Sequence, residues 1–171
     1  MRAGREAEFA DFVRAHRPAL LAYATLLSGD RHLAEDLVQI GLIQVYRRWD
    51  RVRSGTPAAY TRRVVATTVI DHSRRSFVGR EVGMAAVPET AVTDPETLLD
   101  PHLVAALQQL PPRMRAVVVL RYVEDLAVEN VASILGCRAG TVKSQAARGL
   151  SKLNSILTTS ETSSFSLIAI S

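Results

Sequence analysis

The 171-residue sequence predicts an all-α protein of two small helical domains joined by a flexible acidic linker. Three observations lead there. Apolar residues recur at three- and four-residue spacing through most of the chain, and no stretch alternates as a half-buried strand does. The segment Asp125–Leu153 has the form of a helix-turn-helix. Charge also falls in blocks. Residues 1–80 hold 14 Lys/Arg against 8 Asp/Glu, residues 81–103 hold 5 acids and no Lys or Arg, and residues 104–171 hold 7 bases against 4 acids. Two basic blocks about an acidic strip suit two nucleic-acid-binding domains on a tether.

The first helix is expected over Glu6–Ser28, with Phe9, Phe12, Val13, Leu20, Leu21 and Leu27 on its core face. Pro18 should kink or divide it, and Ser28-Gly29-Asp30 should end it. A second helix over His32–Val52 is apolar around much of its circumference and belongs at the centre of a bundle. Its polar residues Glu35, Asp36, Gln39 and Gln44 stand out, because a solvated face more often carries Lys and Glu. Arg51–Gly55 reads as a loop. Thr56 then caps a third helix that opens at Pro57 and runs to about Phe77. Val64, Val65, Val69 and Ile70 face inward; Arg62, Arg63, Arg74 and Arg75 face outward with Asp71 alone nearby to neutralise them. That excess favours a nucleic-acid backbone as their partner.

Residues 79–99 read as the linker, since Gly83, Pro88 and Pro95 interrupt any helix and every charge after Arg80 is negative. Asp100 caps the next helix at Pro101, which buries Leu103, Ala106, Leu107 and Leu110. Pro111-Pro112 breaks it and opens a helix through about Leu126, expected to pack beneath the helix-turn-helix. In that motif Val128, Val131, Ala132 and Leu135 make the first apolar stripe, and Gly136 supplies a left-handed stop. Val142, Ala146, Leu150 and Leu153 make the second stripe. The opposite side carries Thr141, Lys143, Ser144, Gln145, Arg148 and Lys152, all donors for phosphates or base edges, with no carboxylate to repel a phosphate. The predicted domains are therefore 5–78 and 100–157, with a disordered tail over 158–171.

Several classes are disfavoured. A lone Cys137 cannot make an internal disulfide and suits a reducing cytoplasm. No apolar run reaches the length of a membrane span, and no signal-peptide core opens the chain, so a soluble cytoplasmic protein without membrane insertion is expected. His16, His32, His72 and His102 lack metal-ligand spacing, and neither a Gly-rich phosphate loop nor a nucleophile elbow is present. No metal, cofactor, small-molecule substrate or enzymatic activity is expected.

Four motifs in order then resemble the extracytoplasmic-function sigma factors of the sigma-70 family. Ala34-Glu-Asp-Leu-Val-Gln39 with Tyr46-Arg-Arg-Trp49 resembles the helix that binds the polymerase clamp. Pro57-Ala-Ala-Tyr60 with Asp71-His-Ser-Arg-Arg75 resembles the helix that opens and reads the −10 element. Leu107-Gln-Gln-Leu-Pro-Pro112, Arg121-Tyr-Val-Glu-Asp-Leu126 and Leu135-Gly-Cys137 with Gly140-Thr-Val-Lys-Ser144 resemble the domain that binds the −35 element. The resemblance implies core RNA polymerase and promoter DNA as partners. Family members are often also held by an anti-sigma factor, although no residue here specifies one. It further implies clamp contacts at Asp36, Leu37, Gln39, Gln44, Arg47 and Arg48. The −10 contacts would be Tyr60, Arg62, Arg63, Thr67, Asp71, Arg74 and Arg75, and the −35 contacts Arg138, Thr141, Lys143, Ser144, Gln145 and Arg148.

The chain also departs from the family pattern. Thr67 stands where an Asn is usual, Ile40-Gly41 follows Gln39 in place of an acidic or small polar pair, and Ala127 and Arg138 occupy N-cap positions usually held by Ser or Thr. The alternative reading is a one-component helix-turn-helix regulator with a sensor or interaction domain over residues 1–80.

Overall fold

The computed structural model describes residues 2–80 and 99–159, and all regular structure among them is helical. The acidic linker expected over 79–99 falls mostly outside the described residues, as does the tail beyond Thr159.

Helix α1 spans Arg2–Ser28 without a break. Pro18 lies inside it and does not divide it, so of the expected kink or division the division does not occur. The missing donor of Pro18 costs one ladder bond on an exposed face, while both halves of the helix are held by packing. Leu20, Leu21, Tyr23, Ala24, Leu26 and Leu27 are buried beyond the proline. Before it, Phe9 meets Trp49 edge-on at a centroid distance of 5.0 Å. The helix ends where the Gly29 N–H (φ 78°) donates to Thr25 O at 2.7 Å.

Asp30 caps α2, Arg31–Arg47, by accepting from the Leu33 N–H at 3.1 Å. The helix expected over His32–Val52 is really two. Arg48 leaves helical geometry (φ −111°, ψ 11°), and a four-residue α3, Trp49–Val52, follows. The turn drives Trp49 into the core at 2% exposure, against Phe9 and Phe12. Nor is α2 enclosed at the centre of a bundle. Ala34, Leu37, Val38, Gly41, Leu42 and Val45 face inward, while Ile40 and Ile43 stand 47% and 44% exposed on the other side. Helix α4, Pro57–Arg80, completes the first half and buries Thr61, Val65, Ala66 and Val69 against α1 and α2.

The second half opens with α5, Pro101–Gln108, where Asp100 Oδ1 accepts from the His102 N–H at 2.8 Å. Helix α6, Pro112–Val118, widens into one π-helical turn, Val119–Val123. The helix expected through about Leu126 therefore stops earlier. Helix α7, Val128–Leu135, ends at a left-handed Gly136 (φ 62°, ψ 42°), and α8 runs Ala139–Thr159. Gly149 lets α6 and α8 approach closely, since a Cβ there would overlap Val118 Cγ2.

The two halves do not stand apart. Apolar side chains of both join one continuous core, with α1 against α5, α6 and the π turn, and α4 against α6 and α7. Arg115 crosses the joint. It is 8% exposed, and its guanidinium donates to Leu107 O at 2.9 Å and Leu110 O at 3.1 Å within its own half, and to Leu27 O at 2.9 Å in the other. Desolvation pushes its pKa down to about 10, yet the carbonyl acceptors satisfy its donors.

Candidate nucleic-acid and polymerase interfaces

The α2–α4 side of the first half carries an open groove of ≈ 690 Å³. Gln44, Arg47 and Arg48 from the end of α2 face Tyr60, Arg63, Val64 and Thr67 from the start of α4 across it. Arg48 Nη1 donates to the Tyr60 hydroxyl at 3.1 Å. Three arginines, a partly exposed aromatic ring and no carboxylate line it, a chemistry that suits a phosphate chain with an unstacked base. Residues assigned by resemblance to the clamp (Gln44, Arg47, Arg48) and to the −10 element (Tyr60, Arg63, Thr67) thus share one groove.

Along α4, positions 60, 63, 67, 71 and 74 recur at helical spacing, so Tyr60, Arg63, Thr67, Asp71 and Arg74 form one stripe. Asp71, Arg74 and Arg75 are exposed. The Thr67 hydroxyl donates to Val64 O at 2.9 Å and Arg63 O at 3.1 Å, so its proton is turned to its own helix and lone pairs remain for a base edge. Arg62 is not on this stripe. It points toward the second half, where its Nε lies 2.6 Å from Glu124 Oε2. Sequence reading grouped four arginines together; the helix separates this one.

On α2, Asp36, Gln39, Ile40 and Ile43 lie open to solvent, continuous with Gln44 and Arg47. Leu37 does not join them. At 3% exposure it belongs to the core and offers no surface to a partner, a correction to its assignment as a contact. In its place the structure brings out Ile40 and Ile43. The sequence signal for them was present, since two isoleucines interrupt the polar residues of that helix.

In the second half α8 buries Val142, Ala146, Gly149 and Leu153 and leaves Thr141, Lys143, Ser144 and Arg148 exposed, with Gln145 half-buried. Arg138 precedes the first turn, with its carbonyl accepting from the Thr141 and Val142 N–H groups at 3.0 and 3.2 Å. The Ser144 hydroxyl donates to Thr141 O at 3.1 Å. Lys143 and Arg148 make no ion pair with any described residue, so both charges are available to an anion. Ala127 holds the N-cap of α7 in extended geometry (φ −62°, ψ 151°) with no side-chain hydrogen bond.

Between the halves lies a small polar cluster. Tyr23 is 2% exposed, and its hydroxyl has no hydrogen-bond partner among the described residues. Burial raises its pKa far above the usual phenol range, helped by the Glu124 carboxylate and opposed by Arg62. Burial likewise holds the Glu124 carboxyl above the usual carboxylate range, and Arg62 pulls it down without cancelling that effect. Among the described residues no three His, Cys, Asp or Glu side chains converge as a metal site, and no helix is long and apolar enough to cross a membrane.

Two family models match this chain, Sigma-70 region 2 over residues 12–76 and Sigma-70, region 4 over residues 103–153. RNA polymerase sigma-E factor of Streptomyces avermitilis is 39% identical over 153 residues, which cover 88% of this chain and 85% of that protein. RNA polymerase sigma factor CarQ of Myxococcus xanthus is 31% identical over 162 residues, covering 91% and 92%. The fold resembles that of the sigma factor RpoE from Bartonella quintana, solved in complex with the anti-sigma factor NepR. The TM-score is 0.74 at 24% identity, over 90% of this chain and 99% of that one. A one-component regulator would carry its sensor where the region 2 model matches, so that alternative is not favoured. The chain belongs to the extracytoplasmic-function sigma factors of the sigma-70 family, which bind core RNA polymerase and direct it to promoters.

Proposed function

We propose that this sigma factor divides its work among three surfaces. The outer face of α2, with Asp36, Gln39, Ile40 and Ile43, binds the polymerase clamp. The groove between α2 and α4 holds the unpaired strand of the −10 element, with Tyr60 against a base and Arg47, Arg48 and Arg63 on phosphates. The exposed face of α8 through Arg148, with Arg138 just ahead of its first turn, docks on the −35 duplex. The observation that carries this reading is the shared groove: Arg48 bonded to Tyr60, lined by arginines and free of carboxylates. A DNA strand seated there would lie directly beside the clamp-binding face, as initiation requires of a factor that couples polymerase to an opened promoter.

On this reading residues 5–78 and 100–157 are the two binding domains, and the acidic linker tethers them inside the polymerase. The protein acts in the cytoplasm, at the nucleoid, and has no catalytic centre of its own. The anti-sigma factor bound to the Bartonella quintana protein supports an anti-sigma factor as a further partner. In vitro transcription with core polymerase on a promoter library tests the whole assignment. Initiation from a defined promoter set is expected, and initiation no different from core alone would refute it.

A further inference from the structure

We propose that Arg5 and Glu8, near the start of α1, are positioning residues for the −10 groove: they grip the turn between α2 and α3 and so set where Arg48 lies. The grip on the turn stands by itself; its consequence for DNA rests on the reading of the groove as the seat of the −10 strand. Both residues precede residue 12, where the match to Sigma-70 region 2 begins.

Tyr46 stands in the last turn of α2, where the carbonyls run out of ladder partners and carry the negative end of the helix dipole. Arg5 Nη2 donates to Tyr46 O at 2.7 Å across 41 positions, and its guanidinium lies over the Tyr46 ring, 4.7 Å from the centroid. Phe9, one turn on, meets both Tyr46 and Trp49 at centroid distances of 5.0 Å. Glu8 reaches the other end of the turn, where its Oε2 accepts from Arg53 Nη1 at 2.8 Å. Asp50 joins the two grips, with Oδ2 3.5 Å from Arg5 Nε and Oδ1 3.8 Å from Arg53 Nε. Tyr46 lies two residues before Arg48 and Asp50 two residues after it. Helix α1 thus holds the chain on both sides of the residue that donates to the Tyr60 hydroxyl.

Magnitudes indicate what this network does. Glu8, Asp50 and Arg53 are 46%, 63% and 44% exposed, and ion pairs so exposed contribute little to the stability of a fold. Their effect lies in geometry. A guanidinium meets a phosphate only within hydrogen-bond reach, so a turn that wanders carries Arg48 away from the strand. Asp50 also stands close to the groove, and pairing with two arginines keeps its charge from repelling a phosphate chain.

The test uses the full chain and two readouts: hydrogen exchange at the turn amides of Arg48, Arg51, Val52 and Arg53, which donate to carbonyls within the turn, and anisotropy of labelled oligo(dT). Glu8→Gln and Arg5→Lys both keep every positive charge, and Glu8→Gln raises the net charge by one. General attraction to a polyanion would therefore hold or tighten binding. Positioning predicts the reverse. The turn amides should exchange faster, and oligo(dT) binding should weaken roughly two- to fivefold. In an Arg48→Ala background neither change should weaken binding further, because both act through Arg48. Unchanged exchange in both variants would overturn the grip. Faster exchange with unchanged or tighter binding, or a loss that persists in the Arg48→Ala background, would overturn the positioning of Arg48. If Arg48→Ala alone leaves oligo(dT) binding as it was, the reading of the groove falls together with the DNA half of the proposal, while faster exchange still supports the grip on the turn.

Discussion

Arg48 and Tyr60 join the end of α2 to the start of α4 through a 3.1 Å hydrogen bond from guanidinium to phenol. Arg48 follows the last residue of α2, where the chain leaves helical geometry, and it lines the groove that Tyr60 lines from α4. The relationship makes the aromatic ring and its neighbouring cation one unit, and it separates two contributions that mutation can resolve.

Tyr60→Phe keeps the ring and loses the bond to Arg48; Tyr60→Ala loses both. Stacking of a base on an aromatic side chain contributes about 1–3 kcal/mol. Oligo(dT) binding should therefore weaken about five- to a hundredfold with Tyr60→Ala, and much less with Tyr60→Phe. Equal losses would mean that the hydroxyl, and not the ring, is what the strand meets.

Asp36→Arg, or Ile40→Ser together with Ile43→Ser, should weaken binding to core polymerase while the helix content stays unchanged. Asp36 and the two isoleucines are exposed, so the fold has little to lose from either change. Undiminished co-purification with core would remove this face of α2 from the interface. Leu37→Ala, by contrast, should act through the core and destabilise by about 2–5 kcal/mol.

Lys143→Ala and Arg148→Ala address the −35 face. Loss of one phosphate contact reduces the slope of log affinity against log salt by about one and weakens all sequences alike. Loss of a bidentate guanine contact costs roughly 1–3 kcal/mol at one base position. A double variant with unaltered promoter binding would show that α8 does not face DNA.

Ala127→Ser should stabilise the protein by roughly 0.5–2 kcal/mol, because the extended N-cap of α7 lacks a side-chain acceptor for the orphan N–H groups. A rise in melting temperature at unchanged DNA affinity is expected. Arg138→Ser should also stabilise, but with weaker −35 binding, since it removes a positive charge at the mouth of α8. Affinity that rises with stability would mark Arg138 as a lost cap without a DNA role.

Glu124 should make stability depend on pH. An ordinary glutamate titrates near about 4.3, and burial raises Glu124 above that. The folded chain then holds the proton more tightly than the unfolded chain. Its contribution is full below the unfolded value and is lost as pH rises through the raised one. Wild type should lose more stability than Glu124→Gln as pH rises from the unfolded glutamate value of about 4.3 through the raised folded value. Parallel melting curves for the two proteins across that range would show that the carboxyl is not desolvated.

Much of this protein was decided by local sequence. Apolar spacing, Asp100 before Pro101, Gly136 after Leu135 and the acid-free face of α8 each rest on contacts within a few residues, so the helices and the helix-turn-helix were legible without a structure. Motif order was enough to indicate the family and the elements that carry its functions. Tertiary packing decided the rest. Pro18 sits in an unbroken helix because packing on both sides of it outweighs one lost hydrogen bond. Arg48 ends α2, and Trp49 just beyond it is seated against Phe9 and Phe12, partners far away in sequence. Leu37 is buried although the motif suggested a contact, and Ile40 is exposed, since burial depends on where α1 and α4 lie and not on spacing alone. Arg62 pairs with a residue 62 positions away, and Arg115 with a carbonyl 88 positions away. No periodicity encodes such partners: they exist only once two helices that are distant in sequence have met.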